Sequence, residues 1–108
     1  MKTFKLDSMI RGWFIGDFEP SILKVKNFEV GILEFKKGHK KPPHYHKIST
    51  EYNVLLSGNF TTNGIHFKEG DIFIIQPNEI VDPEFHTDCR ILCVKVPSAP
   101  NDKYEDNE

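Results

Sequence analysis

The chain of 108 residues lacks any apolar run near the ~20 residues that a membrane-spanning helix needs, so no spanning segment is expected. It also lacks a dominant charge. Lys and Arg total 14 and Asp and Glu total 16, giving 14 − 16 = −2. No basic run is interleaved with aromatics, which argues against nucleic acid as a partner. Lys36, Lys37, Lys40 and Lys41 read as a solvated rim around a turn in preference to an electrostatic funnel for acidic ligands. The opening MKTFKLDSMIRGWF has no secretory apolar core, because Lys5, Asp7 and Arg11 interrupt it, and a cytoplasmic location is expected. Cysteine is scarce. Cys89 and Cys93 fall in a strand-like CRILC, where ~3.3 Å per residue sets them ~13 Å apart, beyond the ~7 Å that a disulfide spans. Reduced thiols are expected. There is no nucleophile elbow and no Gly-rich phosphate loop.

No segment carries a good helical pattern. Instead, short apolar runs alternate with turn signals, which predicts an all-β sandwich or barrel. The runs are WFIGDF, SILKV, FEVGILEF, EYNVLLSG, NFTT, IHF, IFII, VDPEF and CRILCVKV. Asn63-Gly64 between two of them is a strong hairpin signal, since both central positions of a type I′ turn need positive φ. One domain over 1–108 is expected, with 97–108 as a surface tail that has no core pattern and frays at its end.

The chemistry concentrates in GHKKPPHYHKISTEYNVLLSG, residues 38–58. On a strand, His44 and His46 point to one face and Tyr45 to the other. Pro42 and Pro43 favour an extended approach. Glu51 begins the next run, and a hairpin would fold it back over the histidines. Two histidines and a carboxylate on one face make a facial triad with open positions for a ligand. From these residues alone, a metal site and a chance pairing on a wet strand face both stand.

The spacing resembles the first motif of the cupin superfamily, G-x5-H-x-H-x4-E-x6-G, met here by Gly38, His44, His46, Glu51 and Gly58. The resemblance implies a single cupin-type β-barrel, or jelly roll, with little helix. It also implies one divalent metal (iron, zinc, nickel or manganese) held by His44, His46 and Glu51. The second motif, G-x5-P-x-G-x2-H-x3-N, is degenerate. Gly70 opens it, but Gln76, Asn78, Val81 and Phe85 occupy the later positions, and Val81 stands where a fourth ligand histidine belongs. A three-ligand site completed by water or substrate is read first. A site rescued by Asp82 or His86 comes second, although strand parity sends both away unless a bulge near Pro83 intervenes. A site that has lost its metal comes third.

Asn53 shares parity with Glu51 and is expected inside, either orienting a ligand or bonding a neighbouring strand. Tyr52, Val54 and Leu56 take the other face and suggest packing against another sheet or a homodimer contact. His66 and His39 read as exposed. Trp13, Phe14 and Phe18 read as a core plug or dimer arm. The resemblance does not choose a reaction, because cupins include isomerases, dioxygenases and lyases. The leading reading is a metal-dependent enzyme acting on a small polar, sugar-like metabolite. The alternatives are a non-catalytic module that binds metal or a small ligand, and a structural dimer with a vestigial site.

Overall fold

The computed structural model describes residues 1–106. A 3-10 turn at Leu6–Ser8 precedes ten strands: β1 (Trp13–Ile15), β2 (Glu29–Phe35), β3 (His44–Tyr45), β4 (Thr50–Ser57), β5 (Asn59–Thr62), β6 (Ile65–Lys68), β7 (Ile72–Ile75), β8 (Glu84–Phe85), β9 (Cys89–Val96) and β10 (Tyr104–Glu105). They form a five-stranded sheet β1-β2-β9-β4-β7, a three-stranded sheet β6-β5-β8 and a short pair β10-β3. Every pairing is antiparallel. No helix among the described residues is long and apolar enough to cross a membrane.

The predicted punctuation maps closely onto this. Asn63 and Gly64 have φ of 52° and 74° and join β5 to β6. Asn78, at the glycine position of the second motif, has φ 70°, a left-handed value that Asn tolerates. SILKV differs. It forms no named strand, and Leu23 makes only an isolated bridge to Ile15.

Strand parity divides the five-stranded sheet into two faces. Leu55 on β4 and Cys89 and Ile91 on β9 point inward and meet Phe60 of β5 and Phe85 of β8 in the buried core, with Phe35, Phe67 and Phe73 packed around them. The rings of Phe35 and Phe85 stack at 4.5 Å between centroids. Gly31 belongs to the same inner parity, and the Trp13 indole covers it, so a Cβ there would lie 2.6 Å from the ring. Both cysteines are free and buried, as the strand spacing predicted.

The surface tail expected over 97–108 is corrected by the structure; its last two residues lie outside the described ones. Asp102 is buried, and its carboxylate accepts the backbone N–H groups of Lys47, Ile48 and Ser49 at 3.0, 2.9 and 2.9 Å. Burial alone would raise the Asp102 carboxyl. The N–H groups of Ser49, Lys47 and Ile48 outweigh it and hold the group below the usual carboxylate value. Tyr104 then pairs with Tyr45 and Glu105 with His44. The tail is therefore what fixes the backbone around the histidines.

Candidate metal centre

Strands β2, β9 and β4 lay Glu29, Lys95 and Glu51 side by side in register. Directly opposed residues share a face, so this charged row crowns the inner apolar parity. Behind it lies a second row of Gly31, Cys93 and Asn53. Glu29, Lys95, Glu51 and Asn53 line a cleft of about 980 Å³, together with His44, His46, Phe73, Ile75 and Val81.

Within the cleft, His46 Nε2–H donates to Glu51 Oε2 at 2.8 Å. Cys93 Sγ–H donates to Glu51 Oε1 at 3.5 Å. The rings of His44 and His46 lie edge-on, 6.1 Å between centroids. The three expected ligands are thus gathered at one place, by a route other than the expected hairpin. β3 pairs with β10, whereas β4 lies in the five-stranded sheet, and the Asp102-held turn carries the chain between them. Burial is the first cause that pushes both imidazoles below their ordinary value. For His44 the Lys103 charge adds to it, and for His46 the Glu51 carboxylate opposes it. Burial, reinforced by the Glu51 charge, pushes the Cys93 thiol far up, so it stays protonated.

Val81 stands where the degenerate second motif set it. It is buried and exchanges both backbone hydrogen bonds with His44, at 3.0 and 2.9 Å. An aliphatic side chain thus occupies the strand position opposite the first histidine. Asp82 and His86 do not replace a ligand. Asp82 pairs with Lys40 at 3.1 Å on the surface, and His86 Nε2 lies 2.7 Å from Thr61 Oγ1 on the exposed side of the three-stranded sheet. Strand parity holds there.

As the side chains stand, no three His, Cys, Asp or Glu among the described residues converge closely enough to hold an ion; His46 and Glu51 engage each other instead. The donor set nevertheless suits one. Both imidazoles are held toward the neutral, metal-binding form, and Nδ1 of each is buried without a partner. Asn53 Nδ2 is likewise buried and unpartnered, at 3% residue exposure. Buried polar atoms left unpaired are uncommon, and the three residues that carry these all line the same cleft.

Sequence reasoning passed over Glu29, Cys93, Lys95 and Lys103. For Glu29 and Lys95 a signal was present. Each continues the parity of an apolar strand face, Glu29 with Gly31, Leu33 and Phe35, and Lys95 with Cys93, Ile91 and Cys89. A charge on a core parity marks a polar interior.

No family model and no curated protein matches the chain. Solved structures do. It is similar to a conserved protein with a double-stranded β-helix domain from Klebsiella pneumoniae, at 19% identity over 99% of this chain and 93% of that one, TM-score 0.69. It is similar to a cupin protein from Bacteroides fragilis, at 25% identity over 74% of each chain, TM-score 0.56. It is also similar to KdgF from Halomonas sp., at 16% identity over 71% of this chain and 74% of that one, TM-score 0.62. The chain has the double-stranded β-helix fold of the cupin superfamily.

Proposed function

We propose that the protein is a metal-dependent cupin enzyme that binds one divalent first-row ion through His44, His46 and Glu51 and acts on a small polar metabolite. The observation that carries this reading is the buried contact of His46 with Glu51 beside a second buried imidazole, with unpartnered ring nitrogens in the same cleft. A bound divalent ion would supply Lewis acidity toward a substrate oxygen. The chain's own part is different. Val81 leaves that side of the site without a fourth protein donor, which keeps room for water or substrate. Asn53 Nδ2 offers a hydrogen bond that can orient a bound oxygen. Glu29, whose carboxyl is raised chiefly by burial, is a group able to give or accept a proton in the cleft, and Lys95 supplies a positive charge beside it. Such groups favour an enzyme over a passive binder, whose pocket needs none.

We also infer a homodimer, because the outer side of the five-stranded sheet is apolar and exposed at Tyr52, Ile72 and Ile74.

Elemental analysis of natively purified protein tests the metal. The expected result is one ion per chain, abolished by the double change His44→Ala and His46→Ala and untouched by His66→Ala. A protein that remains empty after growth with supplemented metals, or a double variant with full metal content, sinks the reading.

A further inference from the structure

Four cations line the cleft: Arg11, Lys41, Lys95 and Lys103. Lys95 stands between Glu29 and Glu51 in the cross-strand row, with its Nζ 4.9 Å from the centroid of the Trp13 ring. None of the four makes a salt bridge among the described residues. Three of the acidic residues that line the cleft are engaged elsewhere. Asp102 is saturated by backbone N–H groups, Glu34 pairs with Arg90 and Glu19 with Lys24. Lys41 lies with its Nζ 5.3 Å from the centroid of the Phe35 ring, and its charge is felt at Lys103. Two ammonium groups facing one cleft repel each other, and an anion between them relieves that repulsion.

We propose that Lys41, Lys103 and Arg11 form a subsite for an oxyanion, a carboxylate or phosphate, carried by the substrate. This rests on the reading of the cleft as a substrate site but not on the metal. Three of the four lysines keep to the solvated rim expected of them, and Lys41 departs from it. Lys36 pairs with Asp88 and Lys40 with Asp82, Lys37 is exposed, and Lys41 turns into the cleft. Lys103 is an exposed residue, yet loss of water around its ammonium, and next the charge of Lys41, push it down to about 8; Lys95 and Arg11 act in the same direction. Lys103 lies two residues before Glu105, which pairs with His44, and it lines the same cleft as both histidines, so the subsite sits beside the candidate metal ligands. A substrate with an acidic end held by these cations therefore has its body directed toward the histidines.

Calorimetric titration of the full chain, stripped of metal with EDTA and held at constant ionic strength, tests this with gluconate, glucose 6-phosphate and glucose. At least one of the two anions should bind about tenfold more tightly than glucose, the scale of a charge-assisted hydrogen bond. Which anion does so assigns the head group. The double change Lys41→Gln with Lys103→Gln should remove that advantage, Lys103→Gln alone should remove part of it, and Lys36→Gln with Lys37→Gln should leave it intact. Glucose binding as well as both anions, or a double variant that keeps the preference, overturns the subsite. The His44→Ala, His46→Ala protein should keep anion binding within about threefold, so a failed metal reading leaves this result standing. Loss of anion binding in that protein would move the anion to the histidines and overturn the assignment.

Discussion

On the inner side of the five-stranded sheet, Glu29, Lys95 and Glu51 stand in one cross-strand row. One residue further along each strand, on the outer side, Val30, Val94 and Tyr52 form a row that β7 extends with Ile74. A second outer row, Ile32, Leu92, Val54 and Ile72, runs parallel to it. Charge is turned inward and aliphatic surface outward, the reverse of what burial alone favours. The outer rows end at the Glu34–Arg90 pair, 3.2 Å, where ordinary surface polarity resumes. The inner charges end at Asn53 and Cys93, below which the face becomes the apolar core around Leu55 and Ile91. The inversion is thus confined to one end of one sheet. The inner face is polar at its mouth and apolar at its base, while the outer face is apolar and exposed, as the proposed dimer requires.

The strongest way to break this comparison is at the base of the inner face. Leu55 is fully buried. Leu55→Ala should destabilise the fold by about 3 kcal/mol, against about 0.5 kcal/mol or less for Ile72→Ala on the outer face measured at concentrations low enough to keep any assembly apart. Urea denaturation checks both, and comparable losses at the two positions would refute the assignment of faces. Next in size is the tail. Asp102→Ala leaves three N–H groups of the turn after His46 without their acceptor. It should cost about 2 kcal/mol and speed amide exchange at Lys47, Ile48 and Ser49.

That tail also marks the limit of what the sequence discloses. The alternation of short apolar runs with turns, SILKV apart, and the Asn63-Gly64 turn are local patterns that reappear in the structure, and the spacing of His44, His46 and Glu51 is a local pattern too. Val81 was legible in the same way, because motif spacing counts residues along a chain whose strands keep their register. Asp102 was not. A single aspartate in a proline-bearing stretch reads as solvated, and only the tertiary return of the chain shows that it caps a turn some fifty residues earlier in the sequence. Lys41 and Lys40 are adjacent and chemically alike, and only the direction of the loop sends one to the cleft and the other to Asp82.

The outer face is sharpened by charge. Ile72→Glu with Ile74→Glu places like charges on the exposed β7 edge of the apolar rows. If a second copy covers this face, the dimer dissociation constant should rise by about thirtyfold or more, equivalent to about 2 kcal/mol, as read by sedimentation velocity. The folded monomer should lose little. A wild-type protein that sediments as a monomer at micromolar concentration excludes the dimer outright.

The smallest expected effect concerns protons on the inner face. His44 and His46 are buried chiefly in the neutral form, below the ordinary value of 6.5. Between 6.5 and the depressed value, the unfolded chain holds more protons than the native one, so stability rises with pH there. It should be complete above 6.5 and decline as pH falls through that value. Lys103 behaves alike in a separate window, with stability rising between about 8 and its ordinary 10.5. Glu29 runs the other way. Its carboxyl is raised above 4.5, mainly by burial, so stability is lost as pH rises from that value through the folded-state one. The histidine contribution can be isolated by difference. In metal-free protein the urea midpoint should fall with pH below 6.5 for the wild type and flatten in the His44→Gln, His46→Gln variant, while the alkaline slope stays in both and disappears in Lys103→Gln. A wild-type midpoint that rises on acidification through 6.5 would mean that the two rings are charged in the fold, as if Glu51 had captured a proton for His46 rather than accepting a hydrogen bond from a neutral ring.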